Sequence, residues 1–328
     1  MRCVFRMLAS SHHPSYHHPR IQNTRLYATR RRSANAPPLS PLQRILTSRL
    51  KLLQSQPLEL MRIAGVSFEG RQEAVSQLTP NQPVMFSKEP HNEFDPNAVA
   101  IHSLHGVQLG YVPRERTGAF IHPVTFGKVA TVGHTSSSSS GGESPLWGAM
   151  VEVQPRVPGI NVPDLPRQLA KNSVCRLSMH LAGQQWEEYK ARVVSASGGR
   201  CMLTGVPNAA VTEQWEVDDV AKIVRLVGFV AEAPDVTELR YSLLLGSNDD
   251  STKSDVVGRL KSVLAQMNGW STTERAAEEY IHSVQRRMEE RSKYEDWKLE
   301  VKAFLHSVSQ DDAFASVLQR SLHDDIII

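Results

Sequence analysis

Residues 91–116 read HNEFDPNAVAIHSLHGVQLGYVPRER, and this stretch decides the fold. Asn92, Phe94, Asp95 and Asn97 crowd into one polar segment, and Asp95-Pro96-Asn97 is a turn signal. From Asn97 to Ile101 the chain reads as a strand, and His105-Gly106 separates it from a second alternating run ending at Gly110-Tyr111, as in a hairpin. A polar knot joined to a hairpin suits a loop that must grip something. Working outward, Met61–Phe68 (MRIAGVSF) predicts a strand kinked at Gly65, and Gly70–Leu78 a short helix through Ala74, Val75 and Leu78. Pro83–Ser87 predicts a further strand, Pro113–Ala119 opens a second short helix, and Gly127–Gly133 and Trp147–Val153 predict two more strands. The serines and glycines of 136–142 cannot pack a core and predict a mobile loop. Many short strands with small helices predict a partly open barrel over residues 60–156.

Charge is placed unevenly. No Asp or Glu precedes Glu59, while residues 1–58 carry ten Lys or Arg, nine of them Arg. An Arg-rich, Ser-containing, acid-free start predicts a disordered transit peptide for an organelle, mitochondrion ahead of plastid. Arg25-Leu26-Tyr27-Ala28 fits a mitochondrial processing site. A basic tail that binds nucleic acid or membrane is the other reading. Without those ten cations, 27 basic side chains face 34 acidic ones, a formal charge of −7. Such a mature protein cannot lean on non-specific attraction to phosphate and needs a local site to bind DNA. No apolar run approaches the length of a membrane span. Cys3, Cys175 and Cys201 give no CxxC pair, and the histidines at 12–13 and 17–18 fall in the leader, so neither metal nor cofactor is expected. The sequence holds no GxxxxGK[ST] loop, so an ATP-driven step would come from a protein partner, and a partner supplying ATPase or nuclease activity is expected.

The order NxFDxNAVxI…GxxLGYVPRE, carried by Asn92 to Glu115, resembles the HIRAN domain, a small DNA-binding module. The resemblance implies a β-barrel with two helices and, as in the best-understood members, a grip on a 3′-hydroxyl DNA end. Some members carry tyrosine where Phe94 stands, so a phenolic hydrogen bond is missing here. The residue chemistry points the same way: an aromatic stacks on an unstacked base, and a carboxylate accepts a hydrogen bond from a sugar hydroxyl. Candidate DNA contacts are Phe94, Asp95, Asn92 and Asn97, with Arg62, Lys88, Arg114 and Arg116 for phosphate. A bland reading stays open, in which Asn92, Asp95 and Asn97 satisfy turns and Phe94 belongs to the core. Residues 60–128 hold six basic and six acidic side chains, so the module is neutral.

The second half offers an ordered series: Trp186-Glu187-Glu188-Tyr189, Gly198 to Gly205, Trp215 to Asp219, Leu226 to Ala231, Met267-Asn268-Gly269-Trp270, and Arg291 to Trp297. In order and spacing it resembles an HNH-endonuclease-like family. The metal and catalytic positions depart from that pattern. Cys201 is followed by Thr204, Val211-Thr212-Glu213 replaces Cys-His-Glu, and Ala233, Val236, Thr237 and Tyr241 stand where cysteines and histidines belong. Aliphatic and hydroxyl side chains hold no zinc, so no catalytic residue and no metal ligand is expected. Glu213, Asp218 and Asp219 read as a solvated face. Toward the end, Val256–Met267, Glu274–Glu290 (capped by Thr272 or Thr273) and Trp297–Val308 show helical spacing.

The expected class is α+β. A leader (1–58) precedes the small HIRAN-like β-barrel (60–156) and a linker (157–170). A mixed, mainly helical C-terminal domain follows, made of a degenerate HNH-like part (171–245) and helices (255–310). The expected function is an organellar binder of DNA ends or single strands, in repair or replication maintenance. A non-catalytic scaffold factor and a nuclease with atypical ligands are the alternatives.

Overall fold

The computed structural model describes residues 39–68, 70–134, 146–171, 183–245, 251–270, 274–301 and 304. The processing site at 25–28, the leader histidines, the serine-rich stretch 136–142, Cys175, Thr272, Thr273, Leu305 and Val308 lie outside the described residues.

The described fold begins with helix α1 (Pro41–Ser55), inside the stretch that charge alone assigns to the leader. Its start is written locally. Ser40 Oγ accepts from the Gln43 amide and Gln43 Oε1 accepts from the Ser40 amide, with Pro41 at the first helical position. Ile45 and Arg49 are buried. The Arg49 guanidinium donates to three backbone carbonyls, Met267 at 2.8 Å, Leu203 at 2.7 Å and Pro158 at 2.6 Å. The acid-free stretch is therefore not one element, because its last third is built into the core.

Six antiparallel strands follow: β1 (Glu59–Arg62), β2 (Pro83–Lys88), β3 (Val99–Ser103), β4 (Gln108–Tyr111), β5 (Val124–His134) and β6 (Trp147–Val153). Their order in the sheet is β1-β6-β5-β2-β3-β4. The sheet curls, and its edges meet at a bridge where Ala64 and Tyr111 exchange hydrogen bonds of 2.8 and 2.9 Å. Gly110 permits that approach, since a Cβ there would overlap the Ala64 carbonyl oxygen. The strand expected over Met61–Phe68 stops at Arg62, because Gly65 takes φ +67° and turns the chain into helix α2 (Arg71–Ser76). A 3₁₀ turn (Arg114–Ala119) plugs one end, with Phe120 stacked on Phe86 at 5.3 Å. Val84, Phe86, Ile101, Val129 and Val151 are wholly buried. Each contributes about 1.5–3 kcal/mol, which fixes register, since a one-residue slip would turn the inward set outward.

Residues 157–165, expected as part of a linker, form a buried strap. Val157, Ile160, Val162 and Leu165 enter the core. The Ile160 amide donates to Asn268 Oδ1 and the Ile160 carbonyl accepts from Asn268 Nδ2, both at 2.9 Å. The apolar residues between the prolines outweigh the turn signal. Beyond the strap come α3 (Arg167–Lys171), α4 (Gln184–Ala196), β7 (Ala210–Asp218), β8 (Ile223–Glu232), α5 (Pro234–Leu245), α6 (Ser251–Met267), α7 (Glu274–Arg291) and β9 (Lys298–Glu300). β7 and β8 are antiparallel and β9 lies parallel to β8, so this half is mixed, with most of its described regular structure in the five helices. The helix expected from Trp297 is corrected at its start: residues 298–300 pair with 223–225, and Val301 and Phe304 join Trp186 and Phe229 in a small core. The six-stranded sheet keeps its own core, while Leu104 and Phe126 enter the core of the second half. Phe126 of β5 packs edge-on against Trp270 at 5.0 Å and Tyr280 at 5.6 Å.

Candidate nucleic-acid interface

The loop between β2 and β3 carries the residues singled out above. Its neck is closed by hydrogen bonds from the Glu89 amide to the Ala98 carbonyl and from the Ala98 amide to the Asp95 carbonyl, each 2.9 Å. Asn92 organises the tip. Its Oδ1 accepts from the Phe94 and Asp95 amides at 3.0 and 3.1 Å, and its Nδ2 donates to Glu89 at 2.8 Å and lies 3.5 Å from the Tyr111 hydroxyl. Asp95 Oδ1 accepts from the Asn97 amide at 2.8 Å. Asn92 and Asp95 thus satisfy turns, as the bland reading requires, and Asn97 contributes its backbone. Phe94 does not fit that reading. Its residue is 93% exposed on a backbone that its neighbours hold still. Burying a phenylalanine is worth about 1.5–3 kcal/mol, and this fold leaves that gain unused.

Asp95 turns its second oxygen toward Arg114 Nε at 3.4 Å, and Arg114 itself is largely exposed. The loop and the start of the 3₁₀ turn therefore present an aromatic side chain, a carboxylate and the guanidinium paired with it. That set can stack a base, accept a hydrogen bond from a hydroxyl and meet a phosphate. The other candidate cations are more scattered. Arg116 faces Glu59 at 3.7 Å. Lys88 is exposed at the end of β2, next to the neck of the loop, and Arg62 is exposed on β1. The structure brings Asn92, Phe94, Asp95, Asn97 and Arg114 together and does not gather Arg62 and Arg116 into that cluster.

Sequence reading missed three participants. Tyr111 supplies the hydroxyl near Asn92, and the guanidinium of the mostly buried Arg71 lies 5.1 Å from its ring centre. Phe68 is 64% exposed on the turn after β1. A Cβ placed on Gly65 would lie 3.8 Å from the Tyr111 ring and 3.9 Å from the Phe68 ring, so both rings border Gly65. The Gly110-Tyr111 pair was a readable signal for the second ring; nothing local marked Phe68 as exposed. Behind the site, burial and then the nearby Arg287 and Arg71 push the His102 imidazole down to about 4, so it is neutral at physiological pH.

Among the described residues, no group of three or more His, Cys, Asp or Glu side chains is placed to hold a metal ion, and no helix is long and apolar enough to cross a membrane.

Residues 61–136 match the HIRAN domain family. The matched segment runs from the second half of β1 through all of β5 and includes the whole loop and Arg114. A HIRAN domain points to DNA as the partner. A solved structure of a protein from Lactobacillus plantarum is similar over 30% of this chain and 99% of its own, at 15% identity and a TM-score of 0.21. No curated protein matches the chain.

Proposed function

We propose that this chain is a non-enzymatic DNA-binding protein that recognises single-stranded DNA ends through the 89–98 loop. The observation that carries the proposal is Phe94, bare to solvent on a pinned loop, beside a carboxylate with one oxygen turned to an exposed arginine. A 3′-terminal nucleotide fits this set: its base stacks on Phe94, its hydroxyl donates to Asp95, and Arg114 meets its phosphate. Base–aromatic stacking is worth about 1–3 kcal/mol. Phe94→Ala should therefore weaken binding of a short single strand by at least five-fold, with an unchanged melting temperature. Unaltered affinity would remove the site.

The setting we infer is an organelle, in repair or replication maintenance. Cleavage near Ala28 would leave α1 whole, which favours Arg25-Leu26-Tyr27-Ala28 over any point nearer Glu59. Residues 1–40 fused to a fluorescent protein should carry it into mitochondria, and a cytosolic fusion would refute the address. We further propose that the HNH-like half acts without metal. Cys201, Ala233 and Val236, at three of its ligand positions, all enter one apolar core, where packing takes the place of coordination. The equal count of acids and bases over residues 60–128 favours a scaffold role as the second reading. In that case the chain binds no oligonucleotide and captures a protein instead.

A further inference from the structure

The loop that would read DNA does not stand free. His91, its third residue, reaches across to the second sheet. His91 Nε2 lies 3.2 Å from Glu216 Oε1 on β7 and 3.1 Å from Arg225 Nη1 on β8. Glu216 and Arg225 are directly paired across the two strands, so the imidazole sits on one rung of the ladder. Arg225 is fixed from behind: Nε donates to Glu300 of β9 at 2.7 Å and Nη1 to Asp218 at 3.1 Å. Asp218 is in turn engaged by the Val220 and Ala221 amides at 3.1 and 2.9 Å. Only a fifth of the Arg225 side chain is exposed. A second tie holds the β3–β4 hairpin tip, where Arg286 donates to the His105 carbonyl at 2.5 Å and His105 Nε2 lies 3.5 Å from Glu279. The two halves also meet through the Phe126–Trp270–Tyr280 packing.

We propose that the β7–β8–β9 sheet is a positioning element for the recognition loop, with Arg225 as the residue that sets the loop through His91. This rests on the reading of the loop as a DNA-end site, and it gives the second half a task that requires neither metal nor catalysis. Holding His91 limits the sway of the loop between its neck and Asn92. It therefore keeps Asp95 where a terminal hydroxyl meets it. Generic phosphate attraction needs no such register, so the sheet governs discrimination between strand ends more than overall affinity.

The test uses the full chain with Arg225→Met, Arg225→Lys and His91→Ala. Two readouts are taken: the affinity ratio for single strands ending in a 3′-hydroxyl against a 3′-phosphate, and hydrogen exchange at the Phe94, Asp95 and Ala98 amides. A partly exposed charge contact of this kind is worth up to about 1 kcal/mol. The expected result is a roughly five-fold fall in the ratio for Arg225→Met and His91→Ala, partial recovery in Arg225→Lys, and faster exchange at the loop amides alone. Discrimination by the wild type that survives both substitutions would overturn the positioning role and leave the DNA-end reading intact. No discrimination by the wild type would defeat the DNA-end reading, and exchange would then decide the positioning role by itself. Unchanged loop exchange refutes it, and so does exchange that rises across the whole chain.

Discussion

Replacing Arg49 by Met tests whether α1 belongs to the working fold. The guanidinium gives three hydrogen bonds to carbonyls from three separate segments, at 2.6–2.8 Å. A hydrogen bond involving a charged group nets about 1.5–3 kcal/mol, so the three together offer roughly 5–9 kcal/mol. Burial acts against this: it lowers the Arg49 pKa from 12.5 to about 10, and a drop of that size corresponds to a penalty of roughly 3 kcal/mol. Methionine fills similar volume but leaves the Leu203, Pro158 and Met267 carbonyls without this donor. The expected net loss is about 3 kcal/mol. Urea unfolding should show the midpoint falling by about 1 M at unchanged slope. A shift below about 0.3 M would show that the three bonds merely cancel the cost of burial. A chain lacking residues 1–38 should keep wild-type stability, whereas one lacking 1–58 should lose more than Arg49→Met does.

Two further outcomes follow from particular contacts. His102 has a folded-state pKa of about 4 against an ordinary 6.5, so the unfolded chain takes up a proton first as pH falls. Stability is then lost progressively between those two values, up to about 3 kcal/mol. His102→Gln should flatten that part of the stability–pH curve in urea titrations, and parallel curves would refute it. Gly110→Ala drives a methyl into the Ala64 carbonyl and the Ile63 side chain at the seam of the barrel. It should cost about 1–3 kcal/mol by thermal melting. Gly133→Ala, with open space around it, serves as the control, and equal losses from both would argue against the seam.

How much was legible in the sequence depended on the range of the signal. The β3–β4 hairpin, the β6 strand and the helices α6 and α7 were visible because alternation and 3.6-residue spacing are local. Ser40, Pro41 and Gln43 also spell a capped helix start, although the acid-free context points to a leader or a basic tail. The strap at 157–165 was hidden by its prolines. β9 was hidden because parallel pairing with β8 is long-range and leaves no local trace. The site was half legible. Asn92, Asp95 and Arg114 do meet, yet the exposure of Phe94 and Phe68 is a property of the whole curled sheet. The His91–Arg225 contact joins residues 134 positions apart, and no local pattern records it.

The proposed DNA-end site turns on Asp95 as the reader of a terminal hydroxyl. Its most direct test is the affinity of the full chain for a single strand ending in a 3′-hydroxyl against the same strand ending in a 3′-phosphate, for the wild type and for Asp95→Asn. Asparagine keeps an oxygen for the Asn97 amide, so the turn survives the change. A hydrogen bond to a charged acceptor is worth about 1.5–3 kcal/mol, so the wild type should prefer the hydroxyl by roughly ten-fold or more. Asp95→Asn should erase most of that preference. Equal binding of both strands by the wild type would contradict the claim, as would an undiminished preference in the variant.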